Sequence, residues 1–304
     1  LATVLLTFAG LRAVLWVDLC TFAIAFIALW GFVPLVPPVP DPTQQKESVL
    51  CAARAGLRYL QQNQGILHLI LFLAVINFTA SIYNAALPAM LLSRAGGGEL
   101  ALGAVNTATG LATLVGSLLV TLLPAPKSRV LVILNTLLFS MSIENFVLAF
   151  GRSTPWWCAG AVLGWLLIPM MSANMDVLLR SRIPIPMQGR VYSARNALQY
   201  FTIPIGYLLG GWLVDRVFEP LMAMQPATGL LTTVFGRGKG SGAALLFCVI
   251  GVFGSLSCLP FRADRALWQL EEPLPVAPDS TGIAPIALEN APASNDVALC
   301  KRDS

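Results

Sequence analysis

The sequence predicts an all-α integral membrane protein, and three observations carry that prediction. Charged residues make up 11% of the chain, less than half of the roughly 25% found in a soluble domain, too few to cover a water-facing surface. Hydrophobic residues make up 56%, and mean hydropathy is +0.74. The apolar residues fall in runs of about 20, the length a helix needs to cross a bilayer core of about 30 Å. The lipid bilayer is therefore an expected partner. The net charge of +4 is too small to argue for nucleic acid, and none is expected.

The elements follow in order. Leu1–Gly10 reads as the end of a span, followed by a turn at Leu11–Arg12. The chain opens inside this apolar run without a basic stretch or cleavage site, so it is not a signal peptide, and the expectation is that the N-terminus is missing. Ala13–Val33 is the first full span. The Pro-rich "PLVPPVPDP" cannot continue a helix and opens a linker over residues 34–65. The linker's second part places Leu50, Ala53, Leu57 and Leu60 on one face, with Arg54, Arg58, Gln61 and Gln62 elsewhere, which predicts an amphipathic helix in the membrane interface. Six further spans occupy residues 66–260: Ile66–Leu92, Leu100–Leu123, Val130–Phe150, Trp156–Leu179, Val191–Val214 and Gly242–Leu259. Residues 261–304 turn polar and Pro/Ala-rich and read as a cytoplasmic tail, disordered beyond about Leu270.

Charge placement predicts the orientation. With the tail cytoplasmic, the inside segments hold Lys46, Arg54, Arg58, Lys127, Arg129, Arg180, Arg182, Arg190, Arg195, Arg262, Arg265, Lys301 and Arg302. The outside segments hold Arg12, Arg94, Arg152, Arg216, Arg237 and Lys239. Thirteen basic residues against six fits the positive-inside rule. The densest cluster, "RSRIPIPMQGRVYSARN", lies between two spans, with Pro184 and Pro186 expected to keep the connection non-helical.

The residues around that cluster carry a resemblance. "ANMDVLLRSRIPIPMQGRVYSARNALQYFTIPIGYLLGGWLVDRVFEP" contains Pro-x-x-x-Gly-Arg-Val at Pro186–Val191 and Gly-x-Leu-x-Asp-Arg at Gly211–Arg216. "LRAVLWVDLCTFAIAFIALW" carries an early Asp, Asp18. Together these segments resemble the major facilitator superfamily, in particular its bacterial drug and macrolide efflux branch. The likeness runs from about Leu1 to Arg262 and implies the end of helix five, helix six, the inter-half linker and the C-terminal six-helix bundle, with a missing N-terminal half as partner. It also implies a multi-pass protein of the bacterial inner membrane. "GSLLVTLLPAPKSR", Gly116–Arg129, departs from the family's gating loop by lacking its Asp, which weakens a charge-relay role there.

Polar residues inside the bilayer are costly and mark candidate sites. Asn77, Ser81 and Asn84 recur at i, i+4 and i+7 beside Tyr83, and Asn106, Thr113 and Ser117 mark the next helix. Asn174, Asn196, Gln199 and Tyr200 lie near the inner ends of two later spans. These faces line a substrate path or make interhelical hydrogen bonds, which are common in membrane bundles. Three carboxylates fall within spans, Asp18, Glu144 and Asp176; of these Glu144 and Asp176 are candidates for proton coupling. The resemblance places the helix of Glu144 at the bundle periphery, where it is structural, and Asp176 has Arg180 at i+4 as an alternative partner. By resemblance, Arg180, Arg182, Gly189, Arg190 and Arg195 form a cytoplasmic gate.

Gly160 and Gly164, like Gly206 and Gly210, form GxxxG pairs that let backbones approach, and Pro169 and Pro204 should kink their spans. His68 reads as interfacial. The cysteines Cys20, Cys51, Cys158, Cys248, Cys258 and Cys300 are scattered without a CxxC pair, so no metal or cofactor is expected. "GRGKGSG", Gly236–Gly242, lacks the GK[ST] ending of a phosphate loop and reads as a flexible loop. No catalytic constellation is present, and the chain is expected not to be an enzyme. The resulting expectation is a secondary active transporter exporting an amphipathic organic compound in exchange for protons; the alternative is a membrane-embedded anchoring domain or a transport-incompetent fragment.

Overall fold

A computed structural model describes residues 2–32, 49–226 and 228–271. Two compact units divide at residues 47 and 48. The first contains helix α1, Ala2–Phe32. It runs unbroken through Leu11–Arg12, where the sequence predicted a turn; neither residue is a helix breaker, and a helix satisfies its own backbone. Its 31 residues extend for about 46 Å.

The second unit opens with α2, Val49–Gln62, and α3, Gln64–Ser93. Then come α4, Glu99–Leu122, and α5, Arg129–Phe150, whose N-cap Ser128 accepts from the Leu131 N–H. Helices α6, Thr154–Trp165, and α7, Ile168–Arg182, form one broken span. The break at Leu166–Leu167 has a local cause: Pro169 has no N–H to offer the Trp165 carbonyl four residues back. Helices α8, Ile185–Tyr200, and α9, Thr202–Trp212, break at Phe201 because Pro204 stands in the same relation to Tyr200. A π-helical stretch, Leu213–Phe218, leads into α10, Glu219–Ala223. Short α11, Leu230–Phe235, precedes α12, Ser241–Ala263, and α13, Arg265–Trp268. Six helical stretches of this unit are long and apolar enough to cross a membrane, and the described residues contain no strand. The chain is an all-α membrane protein.

Helices α3, α5 and α12 form the centre, with α9 against α3, α6 and α7 against α5, and α4 against α6 and α7. Small residues set the closest approaches. A Cβ on Gly206 would meet Ser81 Cβ at 2.6 Å, and one on Gly210 would meet Ile82 Cα at 3.0 Å. One apolar core, including Leu60, Ile70, Phe72 and Leu137, fills one end of the bundle; a second, including Met90, Leu148, Trp157 and Phe247, fills the other.

Four local expectations are corrected. The connection before α8 is only Ile183–Pro184, and "IPMQGR" forms the helix's opening turns, because a proline near a helix start gives up an N–H that has no partner anyway. Helix α2 buries Gly56, Tyr59 and Leu60 against its neighbours, whereas Leu57 is exposed; it packs on α8 and α3. The folded unit continues past residue 260: Leu267 and Leu270 are buried, and the Glu271 carboxylate accepts from the Val130 N–H at 2.6 Å and the Ser128 hydroxyl at 3.0 Å. The rest of the predicted disordered tail lies outside the described residues, as does most of the Pro-rich linker. Finally, "GRGKGSG" is an anchored turn, with three glycines at positive φ and Glu219 accepting from the N–H groups of Gly240 and Ala243.

Candidate functional site

Residues of both cores border a cavity of about 560 Å³, so it sits where the two cores meet. Helices α3, α5, α7 and α8 supply most of the wall, with Trp165 from the end of α6 and Ile250 from α12. Between its polar ends the wall is mostly apolar, including Leu73, Ile76, Met141, Met171 and Met175.

One end is built around Glu144, which is 3% exposed. Its Oε1 accepts from the Tyr83 hydroxyl at 2.6 Å and from the Trp165 indole N–H at 3.0 Å. Among the described residues no basic side chain pairs with it. A Cβ on Gly164 would stand 2.1 Å from Glu144 Oε2, so the second glycine of the GxxxG pair makes the room that the carboxyl occupies. Within this unit α5 packs against α12, α6 and α7. Next to it, Asn145 donates to the Met141 carbonyl at 2.7 Å and leaves its buried Oδ1 without a donor.

At the other end Arg195 gathers several groups. Its Nη1 lies 3.6 Å from Asp176 Oδ1, its Nε donates to Gln199 Oε1 at 3.2 Å, and its guanidinium stands 5.6 Å from the Tyr192 ring centroid, within cation–π range. The buried Tyr192 hydroxyl has no hydrogen-bond partner. Asp176 therefore meets Arg195 across the α7–α8 pair, and not Arg180 one turn on, which is exposed.

The cavity collects Asn77, Tyr83, Glu144, Asp176, Arg195, Asn196, Gln199 and Tyr200 from the sequence-predicted residues. Others fall elsewhere. Ser81 is buried under Gly206, with its hydroxyl on the Asn77 carbonyl. Asn174 is buried and donates to the Met170 carbonyl. Asn84 and Asn106 are exposed on the outer surface of this unit, and Thr113 and Ser117 bond within α4 itself. Arg182 and Arg190 are half-buried and Gly189 is exposed, all outside the cavity wall. His68 is not merely interfacial: its Nδ1 lies 2.5 Å from Asp264 Oδ2. Trp165 and Tyr192 were missed, and Asn145, a polar neighbour expected to hold Glu144, bonds the Met141 carbonyl instead. Tyr192 had one usable signal, its i, i+3 spacing from Arg195.

The fold and site define a multi-pass all-α membrane protein whose bundle encloses a cavity, polar at both ends and apolar between. No family model and no solved structure matches the chain. It is similar to macrolide efflux protein A of Streptococcus pyogenes and to the macrolide efflux protein A of that organism's serotype M6. Each is 24% identical over 211 residues, which cover 68% of this chain and 51% of the relative. The chain spans about half the length of the curated relatives it matches.

Proposed function

We propose that the protein is the C-terminal portion of a secondary active transporter of the major facilitator superfamily, which exports an amphipathic organic compound across a bacterial inner membrane. The observation that carries this reading is the cavity: a space of about 560 Å³, within the range that holds drug-sized ligands, walled by membrane-spanning helices in a chain similar to macrolide efflux proteins. Transport proceeds by alternating access, which needs two halves rocking around a midplane site; the partner half lies outside this chain. Protons are the counter-ion, with Glu144 and Asp176 as the groups that exchange them. The C-terminus is cytoplasmic, and the basic residues from Arg180 to Arg195 lie at the cytoplasmic gate. The test is accumulation of a macrolide and drug panel in efflux-deficient cells carrying the complete protein. Accumulation falls for at least one compound and recovers when the proton gradient is collapsed. Export that survives collapse refutes proton exchange, and unchanged accumulation throughout refutes efflux.

A further inference from the structure

Helix α2 turns a basic face away from the protein. Its buried residues Gly56, Tyr59 and Leu60 point to one side, against α8 and α3. Arg54, Leu57, Arg58, Gln61 and Gln62 are exposed and, at 3.6 residues per turn, fall within an arc of about 140° on the opposite side. Two contacts fix this orientation. A Cβ on Gly56 would stand 2.5 Å from the Arg190 carbonyl oxygen, so any larger residue would push the helices apart, and the Tyr59 hydroxyl donates to the Arg182 carbonyl at 3.3 Å. The same contacts bring α2 against the corner between α7 and α8, which carries Arg180, Arg182 and Arg190. Helix α2 contains no carboxylate, and neither does the chain from Val177 to Tyr200. The corner is therefore strongly basic.

This corner stands at the membrane boundary. Helix α2 ends at Gln62, and the membrane-spanning stretch of α3 begins at Gln64. Leu57, on the same arc as Arg54 and Arg58, is 40% exposed, and Ile185, the first residue of α8, is 77% exposed. Apolar side chains among arginines suit the border between headgroups and acyl chains, where a leucine meets hydrocarbon and a guanidinium stays in the polar layer. An arginine fork matches a phosphate through two parallel hydrogen bonds, and basic clusters beside a span draw anionic lipid. We propose that the outer face of α2 is a docking surface for anionic phospholipid, with Arg54 and Arg58, one turn apart, on the headgroup phosphates and Leu57 among the acyl chains. The surface tethers the linker helix to the bilayer, and its docking does not depend on transport.

The test uses the complete protein in bilayers, with a bimane label at Gln61→Cys in a background whose native cysteines are replaced by serine. Lipid carrying a nitroxide near the glycerol end of its acyl chain quenches the label. Competition between spin-labelled phosphatidylglycerol and spin-labelled phosphatidylcholine gives a relative binding constant, and the face with both arginines prefers phosphatidylglycerol. Arg54→Gln and Arg58→Gln each lower that preference about fivefold, the worth of one basic residue at an anionic surface. Arg152→Gln, at an exposed arginine beyond the other end of α5, leaves it unchanged. Raising the salt from about 0.1 M to about 1 M shortens the screening length from about 10 Å to about 3 Å. That lowers the preference with both arginines intact, a second reading should either variant not fold. Equal quenching by the two lipids, a preference that survives both substitutions, or one that falls as far in Arg152→Gln overturns the assignment. Absence of quenching by either lipid overturns it too, because water or protein then covers the face. None of these readings uses transport, so they stand or fall apart from the proposed efflux.

Discussion

A single methyl group added to α4 should be tolerated at one glycine and not at another two turns along. Gly116 is buried where α4 crosses the break between α6 and α7. A Cβ there would stand 2.0 Å from the Leu166 carbonyl oxygen and 3.2 Å from Pro169 Cδ. Ordinary contact begins at 3.4 Å, so α4 must withdraw by roughly 1.4 Å, or the carbonyl must turn away. The obstructing atom is backbone, and no rotamer change relieves it. Overpacking of this kind costs about 1–3 kcal/mol. Gly110 lies on the same helix and meets nothing within 4 Å; alanine there removes no contact and contributes up to about 1 kcal/mol of helix propensity. The propensity gain is common to both sites and cancels, so Gly116→Ala should be less stable than Gly110→Ala by roughly 1–3 kcal/mol. Reversible unfolding of the purified protein in mixed detergent and SDS micelles measures the difference. Equal stabilities would refute the close approach of α4 to Leu166, and with it the account of how the small residues set the packing.

Other outcomes follow from the same contacts. Arg94 is 9% exposed, donates to the carbonyls of Phe235 at 3.0 Å and Ala149 at 3.4 Å, and lies 6.0 Å from the Trp157 ring centroid. Arg94→Met should cost about 2–4 kcal/mol in thermal unfolding by leaving buried carbonyls without donors, and Arg94→Lys should not restore it, since an ammonium lacks the planar fork. Glu271→Ala removes the acceptor for the Val130 N–H and the Ser128 hydroxyl, a capping loss of about 1 kcal/mol; hydrogen exchange should rise at the start of α5 and over residues 264–271. For the proposed orientation, Lys239→Cys in a background with the native cysteines replaced by serine should react with a membrane-impermeant thiol reagent in intact cells, and Ser181→Cys should react only after permeabilisation. The reverse pattern would invert the topology.

How much of this was legible in the sequence depends on the range of the cause. Span positions were legible because a run of some 20 apolar residues between charges is a local property: α3, α4, α5 and α12 lie within a few residues of their expected bounds. The breaks in the α6–α7 and α8–α9 spans were legible because a proline acts on the carbonyl four residues back. Periodicity fixed the azimuth of Asn77, Ser81 and Asn84 but not their surroundings. All three lie on one stripe of α3, yet the first borders the cavity, the second is covered by Gly206, and the third is exposed. What changes along the stripe is the neighbouring helix, which no local pattern encodes. Glu144 is the sharpest case. Its donors come from 61 residues before and 21 after in the chain, and the space for its carboxyl comes from Gly164, the residue beside the second donor. Read locally, "SMSIENF" shows a carboxylate in a costly place and nothing about how the cost is offset. The GxxxG pair at Gly160 and Gly164 was legible as a close-packing device, but what it packs against was not. The second glycine makes room for a carboxyl, so the same pair that lets α6 approach α5 also positions the one acidic group at that end of the cavity. Packing and site are here a single feature, and a substitution at Gly164 cannot change one without changing the other.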